Sequence, residues 1–212
     1  MILELVVILS IRRYHRFCDR IYDLVYNIET SKQAELSTLD IESPNLMYGK
    51  KYQGTPYRVL KKLFRRVNRD FSNSTMVDFG AGKGRTLIMG AKFGFKRLIG
   101  VDFSSELCID AGKNLSNSKL GGTKFEIVHA DATGFPVPPE ADVFYFYNPF
   151  TREVLNHVLD NIEKTSDNTS EKLFIYTNPL LSDVFENRKY RLIDKIDCIN
   201  HDYTVYFYRP PL

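Results

Sequence analysis

The rhythm of apolar positions changes near residue 75. Before it, apolar residues recur at helical intervals. Phe17, Ile21, Leu24, Val25 and Ile28 do so across 16–28, and Val59, Leu60, Leu63, Phe64 and Val67 across 56–68. The opposite face of the second segment carries Arg58, Lys61, Lys62, Arg65, Arg66 and Arg69. Pro56 suits a first helical turn, and Thr55 before it suits an N-cap. Residues 30–51 are polar and irregular, with a turn at Ser43-Pro44-Asn45. After residue 75, short apolar runs alternate with helical segments. TMVDF (75–79), RLIGVDF (97–103), KFEIVHA (124–130), DVFYFY (142–147) and KLFIYT (172–177) read as strands. Segments 84–94, 105–119 and 151–164 read as helices. Near-continuous apolar strands alternating with helices predict a parallel sheet covered on both faces. Right-handed crossovers make this a doubly wound α/β fold. The runs 190–198 and 203–208 are four residues apart and predict an antiparallel hairpin at the sheet edge. The expected organisation is a helical extension, 1–74, before an α/β domain, 75–212.

Composition excludes several function classes. At 43% hydrophobic and 26% charged, the 212-residue chain is ordinary globular protein rather than disordered. A net charge of +3 does not mark a dedicated nucleic-acid binder. The extension is the more basic part, with 13 Lys/Arg against 8 Asp/Glu. Cys18, Cys108 and Cys198 form no CxxC, and the four histidines show no metal-ligand spacing. No metal is expected, and the cysteine usage fits a reducing, cytoplasmic setting. The opening MILELVVILSI is shorter than the roughly 20 residues of a spanning helix. Its basic residues, Arg12 and Arg13, follow the apolar run, unlike those of a secretory leader. It predicts an amphipathic helix packed on the protein, with membrane contact through 1–11 or docking of a partner as the alternatives.

The chemistry concentrates after the first strand. Asp78-Phe79-Gly80-Ala81-Gly82-Lys83-Gly84-Arg85 has the spacing D-x-G-x-G-x-G. Glycines let a chain turn sharply from strand to helix and leave no Cβ between backbone and ligand. The helix that follows offers free N–H groups. The dinucleotide fingerprint G-x-G-x-x-G fails in either register, at Arg85 and at Leu87. A carboxylate beside the loop repels a pyrophosphate and favours a cationic ammonium. Asp102 ends the second strand, 20 positions after Gly82, where an acid accepts bonds from ribose hydroxyls. Asp131 follows the third strand, placed to accept an adenine amino group.

With these residues and this strand pattern, the chain resembles the class I S-adenosylmethionine-dependent methyltransferases over roughly 75–212. Residues 48–64 (YGKKYQGTPYRVLKKLF) also resemble the entry segment of small members related to lysine methyltransferases of an ATP-synthase subunit. The resemblance implies a Rossmann-like seven-stranded sheet of order 3-2-1-4-5-7-6, with the last strand antiparallel. It implies S-adenosyl-L-methionine as cofactor. Asp78, Gly80, Ala81, Gly82 and Gly84 would hold its methionine part. Asp102 with Phe103 would hold the ribose side, and Asp131 with Ala132 the adenine. Tyr52 and Thr55, with Tyr57, would cover it from the extension.

The fourth strand ends Tyr147-Asn148-Pro149-Phe150. By the resemblance this is the motif at the methyl donor, commonly N/D-P-P-Y/F in nitrogen-methylating members. One proline is missing here. An amide oxygen on Asn148 and the Pro149 carbonyl would accept two N–H bonds from an amine, with Phe150 as an aromatic wall. An ammonium acceptor must lose a proton before attack; no residue stands out as the base, and Tyr147 is at most a helper. The acceptor is a protein lysine or a small-molecule amine. An RNA-directed or RNA-binding reading, using the basic face at 58–69 and the aromatics at 144–147, is the alternative.

Overall fold

A computed structural model describes residues 2–32, 54–118, 121–147, 150–165, 171–198 and 203–211, with backbone alone for 2–9 and 198. The element order is α1 (Ile2–Tyr26), α2 (Tyr57–Val67), β1 (Thr75–Phe79), α3 (Arg85–Lys92), β2 (Arg97–Asp102), α4 (Ser105–Asn117), β3 (Lys124–His129) and β4 (Ala141–Tyr147). It continues with α5 (Arg152–Thr165), β5 (Leu173–Thr177), α6 (Ser182–Asn187), β6 (Arg191–Cys198) and β7 (Tyr203–Arg209). The strands form one seven-stranded sheet, β3-β2-β1-β4-β5-β7-β6. The pairs from β3 to β5 are parallel, and β7 is antiparallel to both β5 and β6. This is the predicted doubly wound α/β fold, hairpin included.

The strand chemistry explains the layering. All of β1 and β5 is buried, as expected of strands covered on both faces. Edge strand β3 is largely exposed, which accounts for its Lys124 and Glu126. Side chains alternate across the sheet and feed two cores. One holds Met76, Val143, Tyr145 and Ile175 together with Leu60, Leu63 and Phe64 of α2 and Leu87 and Ile88 of α3. The other holds Val77, Phe79, Phe144 and Phe146 with Leu155, Leu159 and Ile162 of α5 and Phe185 of α6. Ile28, Tyr57 and Leu60 of the first 74 residues thus lie in the same core as the sheet.

The extension departs from expectation in three ways. The two helical segments anticipated before residue 28 are one 25-residue helix, because no breaker separates them. The apolar face of 16–25 is not its packed face: Phe17, Ile21, Leu24 and Val25 are exposed, while His15, Asp19 and Asp23 are buried. Thr55 is not the N-cap of α2. Pro56 occupies that position with no side-chain cap, and its carbonyl accepts from the N–H groups of Val59 and Leu60. Asp19 Oδ1 of α1 satisfies the Tyr57 N–H at 3.0 Å, so α2 is capped from another helix. Helix α6, six residues long, carries too little periodicity to be anticipated.

Candidate active site

The site grows from the turn out of β1. Gly80, Gly82 and Gly84 take φ of 81°, 53° and 79°, in the left-handed region that favours glycine. The Gly80 and Ala81 N–H groups donate to the Val101 carbonyl at 2.8 and 3.1 Å, tying the loop to β2. The Gly82 N–H donates to Asp102 Oδ2 at 2.8 Å, and the Ser104 N–H donates to Oδ1 at 3.0 Å. The carboxylate at the tip of β2 thereby sets the shape of the loop. The Phe103 N–H also donates to it, and a carboxylate with about four lone-pair sites keeps room for a further donor. Burial raises the Asp102 carboxyl, against the pull of these backbone N–H groups.

Asp78 sits next to last in β1, opposite Tyr145 of β4, and is buried. Its carboxyl is pushed up to about 8, chiefly by burial, with Asp102 adding to the rise and the Thr86 side chain opposing it by hydrogen bonding. The Tyr145 hydroxyl shares hydrogen bonds with Thr55 Oγ1 at 2.6 Å and Thr177 Oγ1 at 3.1 Å. Asp78, Thr86, Tyr145, Thr55 and Thr177 form a buried polar layer beneath the loop. Thr55 therefore lies at the site, with its hydroxyl held by β4. Tyr57 is buried instead, stacked on Tyr22 at 3.6 Å and sharing a hydrogen bond with Thr30.

Asp131 lies two residues beyond β3 and accepts from the Thr133 N–H and hydroxyl at 2.9 and 2.7 Å. Ala132 and Phe103 are half-buried beside the adjoining strand ends. Asp78, Asp102 and Asp131 thus border the carboxyl edge of three neighbouring strands, spanning roughly 10 Å at about 4.8 Å per strand. Open α/β sheets bind ligands at this edge. Phe150 packs edge-on against Phe79 and Phe146, each at 6.4 Å, which fixes it past the end of β4. Asn148, Pro149 and Tyr52 lie outside the described residues. The Tyr147 hydroxyl receives the Asn178 side-chain amide at 3.5 Å. Phe144, Tyr145 and Phe146 are fully buried, so none offers a face for base stacking.

Two features escape a reading by motif. Arg85, directly after Gly84, points away from the sheet edge into the extension. Its guanidinium bonds Asp19 Oδ2 at 2.7 Å and Thr30 Oγ1 at 3.0 Å, reaches the Thr55 carbonyl at 3.4 Å and lies over the Tyr57 ring at 4.8 Å. Gly100 of β2 sits under the loop. A Cβ there would come within 2.7 Å of Leu87 Cδ1 and 2.8 Å of Ala81 Cβ. Three glycines at alternate positions signal the loop itself, but nothing in the spacing signals the glycine beneath it.

The comparisons agree with this geometry. Residues 76–166, from β1 to the end of α5, match the family model described as a methyltransferase domain. No curated protein sequence matches the chain. Among solved structures, an RNA methyltransferase from Salinibacter ruber in complex with S-adenosyl-L-homocysteine is 18% identical, over 75% of this chain and 94% of that one, at a TM-score of 0.60. Magnesium protoporphyrin IX methyltransferase from Synechocystis is 10% identical over 73% and 79%, at 0.59. An S-adenosylmethionine-dependent methyltransferase from Aquifex aeolicus is 13% identical over 74% and 100%, at 0.56. Those identities speak to the fold, and the family match speaks to 76–166: this part of the chain is similar to a methyltransferase domain, set in the fold of S-adenosylmethionine-dependent methyltransferases.

Proposed function

We propose that the enzyme transfers a methyl group from S-adenosyl-L-methionine to a nitrogen, on a protein lysine or a small-molecule amine. The observation that carries the cofactor assignment is the bond from the Gly82 N–H to Asp102. It joins a Cβ-free cradle to an acid with lone pairs to spare. Gly80, Ala81, Gly82 and Gly84 would receive the methionine part, with Asp78 opposite its ammonium. Asp102 would take the ribose hydroxyls beside Phe103, and Asp131 with Ala132 the adenine edge. Tyr52 and Thr55 would close the site from the extension, which we read as a cap over 1–74 on a catalytic unit at 75–212.

The bound cofactor supplies a methyl group made electrophilic by its sulfonium. The chain's own contribution is orientation and exclusion of water. Asn148 and the Pro149 carbonyl support the choice of nitrogen, because two acceptors at one strand end hold two N–H bonds of an amine and aim its lone pair. Phe150 would wall that side. No residue is assigned as the base, and Tyr147 would at most assist the departing proton. RNA remains the alternative acceptor only through the exposed basic residues of α2.

Labelled-methyl transfer to cell extract, separated into protein, small-molecule and RNA fractions, tests the reading. Label in the first two, on nitrogen, is expected; label in RNA or on oxygen overturns it. Asn148→Ala should keep cofactor affinity and slow transfer by a factor equivalent to ~2–4 kcal/mol.

A further inference from the structure

We propose that the outward face of α1 docks on an anionic lipid bilayer. Tyr14, Phe17, Ile21, Leu24 and Val25 are 49%, 61%, 46%, 83% and 68% exposed. Their spacing of three, four and three residues places them in one stripe along the helix. Arg13, Arg16 and Arg20 each immediately precede a stripe residue and are all exposed. They form a basic row roughly 100° around the axis from the apolar one. The acids of this stretch do not face out. Asp19 is taken by Arg85 and the Tyr57 N–H, and Asp23 by Thr30 and Ser31. Between residues 13 and 25 the helix therefore turns Asp19 and Asp23 into the protein and leaves Phe17, Ile21, Leu24 and Val25 in solvent.

An apolar stripe bordered by arginines is the pattern of a helix lying in a membrane interface. The rings and aliphatic chains enter the acyl boundary while guanidinium groups reach lipid phosphates. The charge extends beyond α1. Arg58 donates to the Tyr14 hydroxyl, and the exposed Lys61, Lys62 and Arg65 continue from it along α2. A second copy of the chain would bring two such basic borders together, which like-charge repulsion opposes. RNA would satisfy the arginines and leave the stripe in water. At about 37 Å, α1 is long enough to lie along a surface.

The test is co-sedimentation of the full chain with phosphatidylcholine vesicles, with and without phosphatidylserine. Binding to the phosphatidylserine vesicles alone is expected. Arg16→Glu with Arg20→Glu should weaken it at least ~10-fold, since each basic residue near the surface contributes a several-fold factor. Phe17→Ser with Leu24→Ser should weaken it separately. All four positions are exposed, so the melting temperature and cofactor binding should not move. The inference is overturned if the unaltered protein stays in solution with both vesicles. It is also overturned if the serine variant binds like the parent, or if α1 instead holds a dimer that this variant dissociates.

Discussion

Arg85 and Asp19 form a buried ion pair, with Nη1 2.7 Å from Oδ2 and both side chains almost wholly out of solvent. The pair joins the residue after the last loop glycine to the first helix of the chain. Asp19 also caps α2 through the Tyr57 N–H, so one carboxylate orders two helices around the glycine loop.

Removing one partner strands the other. Arg85→Met should destabilise the protein by about 3–5 kcal/mol, the range for breaking a buried pair. It should also loosen cofactor binding, because the extension loses its hold on the loop. Replacing Asp19 by Leu in the same chain should recover part of the stability. Denaturant unfolding of both single variants and the double gives the coupling, and strict additivity would refute it.

A long side chain at Gly82 would be strained and would enter the turn that the glycines leave open. Its φ of 53° is left-handed and its N–H is committed to Asp102. Gly82→Arg should abolish cofactor binding. Titration calorimetry that finds the parent affinity would remove the glycine loop from the site.

Gly100→Ala examines the loop from below. Its added methyl would meet Leu87 and Ala81 closer than van der Waals contact allows. Overpacking of this kind costs about 1–3 kcal/mol. Because Ala81 belongs to the loop, cofactor affinity should fall as well. Loss of stability with affinity intact would show that the loop yields independently of β2.

Asp78 gives a pH signature with a definite sign. Its carboxyl sits at about 8 in the folded chain, against an ordinary value of 3.8. Between these values the folded state holds a proton that the unfolded state has released. Stability of the cofactor-free protein should therefore fall as pH rises through that window. Asp78→Asn should flatten the fall and gain at least about 1 kcal/mol at pH 8 by the same linkage. A cationic ammonium favours the ionised acid, so cofactor affinity should rise from about pH 6 to 7.5 with a proton released. Calorimetry in buffers of different ionisation heat counts that proton, and a count of zero would separate Asp78 from the ligand.

Most of the sheet was legible because buried parallel strands write themselves as unbroken apolar runs. TMVDF and DVFYFY could hardly be anything else, and the two C-terminal runs could pair only as a hairpin. The positions of the three acids were legible because each interrupts or follows an apolar run at the end of a strand. The packing of the extension was not. Phe17, Ile21 and Leu24 have the spacing of a core face, yet α1 turns its acids inward because Arg85, Thr30 and Tyr57 wait for them. Thr55 looked like a helix cap, and its hydroxyl went to Tyr145. Such choices depend on partners far along the chain, which local spacing does not encode.

The same distances in sequence set an order of assembly. Thr55 meets its hydroxyl partner 90 residues later, Asp19 its guanidinium 66 later, and Arg66 its carboxylate at Asp194, 128 later. α1 and α2 therefore depend on partners that lie 66 to 128 residues further along the chain. Such long closures slow folding. Until the loop after β1 and the strand β4 are in place, Asp19 and Thr55 lack the partners that the folded chain gives them.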